Sequence, residues 1–273
     1  MTRRNRMSLI PAAAAACLML AGVASANPIE IDLTDLNATV HLDLTDGAGM
    51  DEWVVDGVDH LNTQWFYYRI GGGATAPIHS LPLLSRSISD GNFNPGDDRV
   101  VVAYGDAVVR ITVDFSLTGG AAGTGAAAID EVITVLNMGA SPLDVTLYQY
   151  ADFDLGGTAA DDSVRITGGN TASQTAGSSY VAESVVTSSP DHSQADVKDG
   201  VDDILYRIGA GSDLSDAAGP VGPGDLAWAF QWDATLDAGE ALIISKKKNV
   251  VPEPGTVALI LLGGVAALRR RRR

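Results

Sequence analysis

The chain of 273 residues predicts an all-β protein, an antiparallel β-sandwich with two sheets or halves. Three observations carry that expectation. From Pro28 onward the apolar residues recur with period two rather than 3.6, the spacing of sheets with one buried face. Between Asn27 and Val251 lie 28 aspartates and 26 glycines, nearly a quarter of that segment, and both types favour turns over helix interiors. No run of 12 or more residues carries an amphipathic helical stripe.

The strands can be read off in order. Ile29, Ile31 and Leu33 alternate with acids, and Val40, Leu42 and Leu44 alternate with His41 and Asp43. A long strand follows where Val109, Ile111, Val113, Phe115 and Leu117 interleave with Arg110, Thr112, Asp114 and Ser116. Residues 132–136 and 145–148 continue the theme, and β-branched and aromatic side chains place later strands at 180–187, 204–208, 227–232 and 241–245. Turn chemistry separates them at 137–142 and 237–240, while the Gly/Ala/Ser segments 119–128, 168–179 and 209–224 read as surface loops. One echo suggests duplication: Asp56-Gly57-Val58-Asp59 precedes Tyr68-Arg69-Ile70, and Asp199-Gly200-Val201-Asp202 precedes Tyr206-Arg207-Ile208. Recurrence of common turn vocabulary in a biased composition is the competing explanation.

Charge narrows the function classes. The formal net charge is −16, but residues 27–251 hold 33 acids against 10 bases, and arginines crowd both extreme ends. A body this acidic lacks the basic stripe that phosphate recognition needs, which excludes nucleic acid as a partner and disfavours anionic membrane surfaces.

The ends are addresses. Arg3, Arg4 and Arg6 precede an apolar stretch from Leu9 to Val23, and Ala24-Ser25-Ala26 offers small side chains where signal peptidase cleaves. Residues 1–26 are therefore expected to be a signal peptide, 27–248 the extracellular body, and 249–273 a sorting signal. In that last segment Pro252-Glu253-Pro254 is followed by the apolar run Thr256 to Leu268 and by five arginines including Arg269 and Arg270. Thirteen helical residues span about 20 Å, short of a hydrocarbon core of roughly 30 Å, so the tail suits transient retention better than permanent anchoring. These three ordered elements resemble the PEP-CTERM signal family, the substrates of exosortases. The resemblance covers about 23 of 273 residues. It implies export, brief membrane retention by the C-terminal helix, exosortase cutting near the motif, and a final place at the cell surface or outside it. In that family such trafficking accompanies exopolysaccharide and biofilm. The only cysteine, Cys17, falls in the removed signal, so the mature chain is expected to hold itself together without disulfides.

Candidate chemistry is sparse. Asp90, Asn92, Asn94, Asp97 and Asp98 in a glycine-punctuated loop supply the oxygen donors calcium wants, though Phe93, Pro95 and the lack of a closing glutamate depart from the EF-hand. An Asx-rich turn exposed to water is the alternative. Asp152, Asp154, Asp161 and Asp162 form a second acidic group. The four histidines lack zinc-protease spacing, and no nucleophile elbow, phosphate loop or dinucleotide fingerprint occurs. Glycosidase-type acid pairing has no distinguished partners, and glutamate is scarce. Trp65, Tyr67, Trp228, Phe230 and Trp232 could stack on sugars, but burial in the sandwich is the favoured reading. The expected role is therefore non-enzymatic, a surface or matrix component. A calcium-dependent carbohydrate-binding module is the alternative, and a polysaccharide-active enzyme comes third.

Overall fold

The computed structural model describes residues 29–45, 49–200 and 203–252. In chain order the strands are β1 (Glu30–Asp35), β2 (Ala38–Asp43), β3 (Gly49–Val55), β4 (Val58–Asp59), β5 (Leu61–Ile70) and β6 (Ala76–Pro77). Next come β7 (Leu83–Ser89), β8 (Arg99–Gly105), β9 (Val109–Gly119), β10 (Ala127–Asn137), β11 (Leu143–Phe153) and β12 (Asp162–Thr167). The remainder are β13 (Thr171–Ala176), β14 (Ser179–Thr187), β15 (His192–Val197), helix α1 (Ile204–Ala210), β16 (Val221–Gly224), β17 (Leu226–Leu236) and β18 (Ala241–Pro252).

These strands form two nine-stranded sheets. The first runs β1-β2-β3-β5-β11-β17-β15, with β4 added to β3 and β6 to β5; the second runs β16-β12-β13-β14-β18-β10-β9-β8-β7. Pairing is antiparallel except for a short parallel contact of β3 with Gln64 of β5. The all-β sandwich is thus as the sequence indicates. Along β9 the burial alternates residue by residue, with Val109, Ile111, Val113, Phe115 and Leu117 inside. The inner faces merge into one continuous core in which Trp53, Trp65, Trp228 and Trp232 are all buried. Phe153 stacks on Trp228 at 5.1 Å and meets Trp53 edge-on at 6.1 Å. Each such ring, buried, contributes on the order of 2–3 kcal/mol.

Three sequence expectations are corrected. Residues 204–208 form helix α1, not a strand. Ile204 and Ile208 satisfy a spacing of four as well as of two, and helix signals flank them: Asp203 Oδ1 accepts from the Tyr206 amide at 2.7 Å, and Gly211 closes the helix with φ of 66°. The echo is therefore no structural repeat, since Tyr68-Arg69-Ile70 lies on a strand and Tyr206-Arg207-Ile208 on a helix. Segment 168–179 is not a single loop but contains strand β13, a run of Thr, Ala, Ser and Gln too weakly apolar to stand out. Strand β18 runs through Pro252, so its last residues fall at the start of the expected sorting segment.

Candidate functional site

The outer face of the first sheet collects polar and aromatic side chains. Directly opposed residues of antiparallel strands share a face. Thr146 on β11 therefore stands between Arg69 and Asp233, Tyr148 between Tyr67 and Gln231, and Gln231 beside His192. In the middle of this face Tyr148, Tyr150, Ala227 and Ala229 make a second apolar cluster, covered by Ile204, Ile208 and Leu214. Burial raises the Tyr148 and Tyr150 phenols above their usual range and keeps them neutral. Helix α1 divides the face into two polar ends.

At one end lies a cleft of about 410 Å³ lined by Arg69, Asp144, Thr146, Asp233 and Thr235 among others. Arg69 Nη2 donates to Thr146 Oγ1 at 3.1 Å, and that hydroxyl donates to Asp233 Oδ1 at 2.6 Å. Arg69 Nη1 donates to the Gly211 carbonyl at 2.8 Å, which ties the cleft wall to the end of α1. Thr235 donates to Asp144 at 2.7 Å, and Gln231 to Asp233 at 2.8 Å. Potential ligand atoms of His192, Asp213 and Asp233 converge to within 4.8 Å beside it. A hydrogen bond to Asp216 raises the His192 pKa.

The other end is an acidic cluster. Asp152 at the end of β11, Asp154 just beyond it and Asp225 before β17 bring carboxylate oxygens within 4.8 Å of one another. Lys198 Nζ lies 2.8 Å from Asp152 Oδ2 and 3.8 Å from Asp225 Oδ2, and Asn62 Nδ2 donates to the same Asp152 oxygen at 2.8 Å. Burial, then the charge of Asp152, raises the pKa of Asp154 and of Asp225. Asp162 is pushed up to about 7, chiefly by burial, and Asp161 and Asp154 add to the shift. The expected grouping of Asp152, Asp154, Asp161 and Asp162 thus pointed at this region. It missed Asp225, more than sixty residues away in sequence.

Between the sheets sits a quartet of wholly buried charges: Glu131 on β10, Glu183 on β14, and Lys246 and Lys248 on the central strand β18. Lys246 Nζ is 2.6 Å from Glu131 and 2.9 Å from Glu183; Lys248 pairs with Glu131 and reaches Glu183 at 3.5 Å. The first sheet completes the shell. Gln64 donates to Glu131, Gln149 and the Trp228 indole donate to Glu183, and Lys246 lies 4.9 Å from the centre of the Phe66 ring. Burial opposes ionisation of Glu131, but the two lysines override it and hold the carboxyl low. Lys248 is pushed down to about 8 by burial and still carries charge at neutral pH. The sequence signal was a phase violation. Glu131 falls between Ile129 and Ile133, Glu183 between Val181 and Val185, and Lys246 and Lys248 between Ile244 and Val250, all on inward positions.

In the loop of Asp90, Asn92, Asn94, Asp97 and Asp98, the side chains of Asp90, Asn92, Asn94 and Asp98 hydrogen-bond within the chain. Asn92 and Asn94 donate their amides to buried Asp35 at 2.9 Å each, Asp98 Oδ1 accepts from the Gly91 amide, and Asp90 caps the amides of Asn92 and Phe93. Asp35 also accepts from the Gly119 amide, where a side chain would strike the Asp35 carbonyl. The loop thus clamps β1 against the end of β9. The aromatic residues resolve toward burial, for Trp65, Trp228, Phe230 and Trp232 are inside and only Tyr67 is half-exposed. Of the processing residues, Pro252 ends β18 opposite Ser179 of β14, while Ala24, Ala26, Glu253, Pro254, Arg269 and Arg270 lie outside the described residues.

Fold and tail together define an exported two-sheet β-sandwich protein bearing a sorting signal. Residues 250–273 match the family model described as the PEP-CTERM protein-sorting motif, a signal that implies export to the cell surface and exosortase processing. Curated protein sequences contain no match to it. Among solved structures the chain is similar to a bacterial glucoamylase complexed with acarbose, at 11% identity and a TM-score of 0.55, covering 89% of this chain and 36% of that one. The chain thus spans about a third of the glucoamylase's length. It is also similar to a putative aldose 1-epimerase from Escherichia coli K12, at 10% identity and a TM-score of 0.53, covering 82% of this chain and 99% of that one. The Slr1438 protein from Synechocystis sp. PCC 6803 gives 10% identity and a TM-score of 0.53, over 84% and 97% of the two chains. At these identities the likeness is one of fold.

Proposed function

We propose that this protein is a non-enzymatic surface or extracellular-matrix component that binds carbohydrate, of the exopolysaccharide kind found in biofilms, in the cleft beside Arg69. One observation carries the reading. Arg69, Asp144, Thr146, Asp233 and Thr235 present fixed donors and acceptors from the ends of three neighbouring interior strands of the first sheet. Sugar hydroxyls are recognised by such arrays, where each group is held in one direction by a partner. A fold shared with a glucoamylase and a putative aldose 1-epimerase supports the same ligand class. The way the cleft carboxylates are used supports a binding rather than a hydrolytic role. Asp144 accepts from Thr235, and Asp233 from Thr146 and Gln231, so both hold neighbours in place. Export begins with signal peptidase at Ala24–Ala26 and ends with exosortase at Pro252-Glu253-Pro254.

Affinity electrophoresis of the purified protein in gels containing acidic and neutral polysaccharides tests the reading. Retardation that is lost in Arg69→Ala is expected. Release of new reducing ends by the wild type, abolished in Asp144→Asn or Asp233→Asn, would make it an enzyme instead. Replacing Pro252-Glu253-Pro254 by alanines is expected to leave unprocessed precursor in the membrane, and normal processing would refute that role for the motif.

A further inference from the structure

We infer that Asp152, Asp154 and Asp225 form a calcium-class divalent cation site at the end of the first sheet's outer face. The carboxylates converge from separate elements, β11, the turn after it and the approach to β17, and their oxygens gather within 4.8 Å. The independent observation is at the level of atoms. Asp152 is wholly buried, yet its Oδ1 has no hydrogen-bond partner, and the Oδ1 atoms of Asp154 and Asp225 are likewise buried and unpartnered. Buried polar atoms are nearly always satisfied, so three orphaned carboxylate oxygens in one cluster point to a cation as their partner. Lys198 cannot serve all three, because it reaches only the Oδ2 side of Asp152 and of Asp225.

Charge points the same way. Three carboxylates face one ammonium, an excess of two negative charges that a single divalent ion removes. The donors are all oxygen, with no histidine or cysteine in the cluster, which selects a hard cation over zinc or copper. Ligands drawn from irregularly spaced positions along the chain favour the flexible coordination of calcium over the strict octahedron of magnesium. Asn62, donating to Asp152 Oδ2, holds that carboxylate in place.

Calorimetric titration of calcium chloride into the full chain, stripped with EDTA, tests the site. Binding is expected, weakened at least about tenfold by Asp225→Asn and by Asp152→Asn. Asp225 is partly exposed, so its variant remains informative even where Asp152→Asn fails to fold. Lys198→Gln separates a cation site from a plain ion pair. Removal of the competing ammonium should tighten calcium binding several-fold, whereas a salt bridge alone would only lose stability. The inference is overturned by absence of calcium binding, by full affinity in both aspartate variants, or by magnesium binding more tightly than calcium. Loss of binding in Asp97→Asn or Asp98→Asn with the cluster intact would place the ion in the 90–98 loop and equally overturn it. The outcome is independent of polysaccharide retention at the Arg69 cleft.

Discussion

Glu131, Glu183, Lys246 and Lys248 balance two carboxylates with two ammonium groups, and every carboxylate oxygen accepts from lysine, glutamine or tryptophan. Asp152, Asp154 and Asp225 set three carboxylates against Lys198 and leave three buried oxygens unanswered. The quartet sits on inward positions between the sheets and the aspartates at the end of the first sheet's outer face, so their difference is one of position in the sandwich. Midway between the sheets the charges are wholly buried, and the protein supplies their balance itself. At the sheet's end a cluster can remain incomplete, because a cation can enter from outside.

Breaking the quartet should produce the largest effect. Lys246→Met leaves the two glutamates with one lysine between them in a dry core, and a loss of about 3–5 kcal/mol is expected in urea denaturation. Replacing all four by apolar residues of similar volume should recover most of it; failure to recover would mean the quartet contributes net stability rather than merely avoiding a penalty.

The quartet and Asp162, which lies near the acidic end, should also respond oppositely to acid. Glu131 is held below its ordinary 4.5 by Lys246 and Lys248 against the effect of burial, with Glu183 alongside, so its contribution is present above 4.5 and lost as pH falls through the folded value. Asp162 is raised from 3.8 to about 7, with Asp161 and Asp154 facing it and Gln174 opposing the shift. The folded state there binds the proton more tightly, so stability is gained as pH falls through about 7 and is fully present below 3.8. Melting temperature should therefore climb as pH drops from about 7 toward 4.5 and fall below it. Asp162→Asn should flatten the first limb and leave the second; a melting temperature that rises monotonically with pH would contradict the Asp162 assignment, and one that falls monotonically with pH the Glu131 assignment.

A smaller effect is expected at the helix that separates the acidic end from the cleft. Asp203→Ala removes the cap of α1 and should cost about 1 kcal/mol, with loss of near-ultraviolet signal from Tyr148 and Tyr150. The smallest belongs to the surface. The Arg99–Asp114 pair, held by two hydrogen bonds at 2.8 and 2.6 Å, is exposed to solvent on the arginine side, and Arg99→Ala should change stability by less than about 1 kcal/mol and vanish in high salt.

Much of the fold was legible because a half-buried strand writes its burial into every second residue, as β9 and β10 show. Helix α1 was misread because seven residues are too few to separate a spacing of two from one of four, and its caps decide the matter. The polar sites were less legible. Asp225 joins Asp152 and Asp154 only through the pairing of β11 with β17, which sets Asp152 opposite Ala227. The quartet left a trace, charges in apolar phase on three strands, but its meaning depended on β14, β18 and β10 being neighbours.

From sequence alone came the sheet class, the acidic exported body without cysteine, and the tail whose three parts match the PEP-CTERM motif. Those features are written in local order: alternation, composition and a short contiguous signal. Tertiary structure alone decided which of the acids meet, which lysines are buried, and how α1 divides the outer face into a cleft and an acidic end. The physical reason is that charge acts through space, and residues far apart in sequence acquire their partners only when strand order and register bring them within a few ångströms of one another.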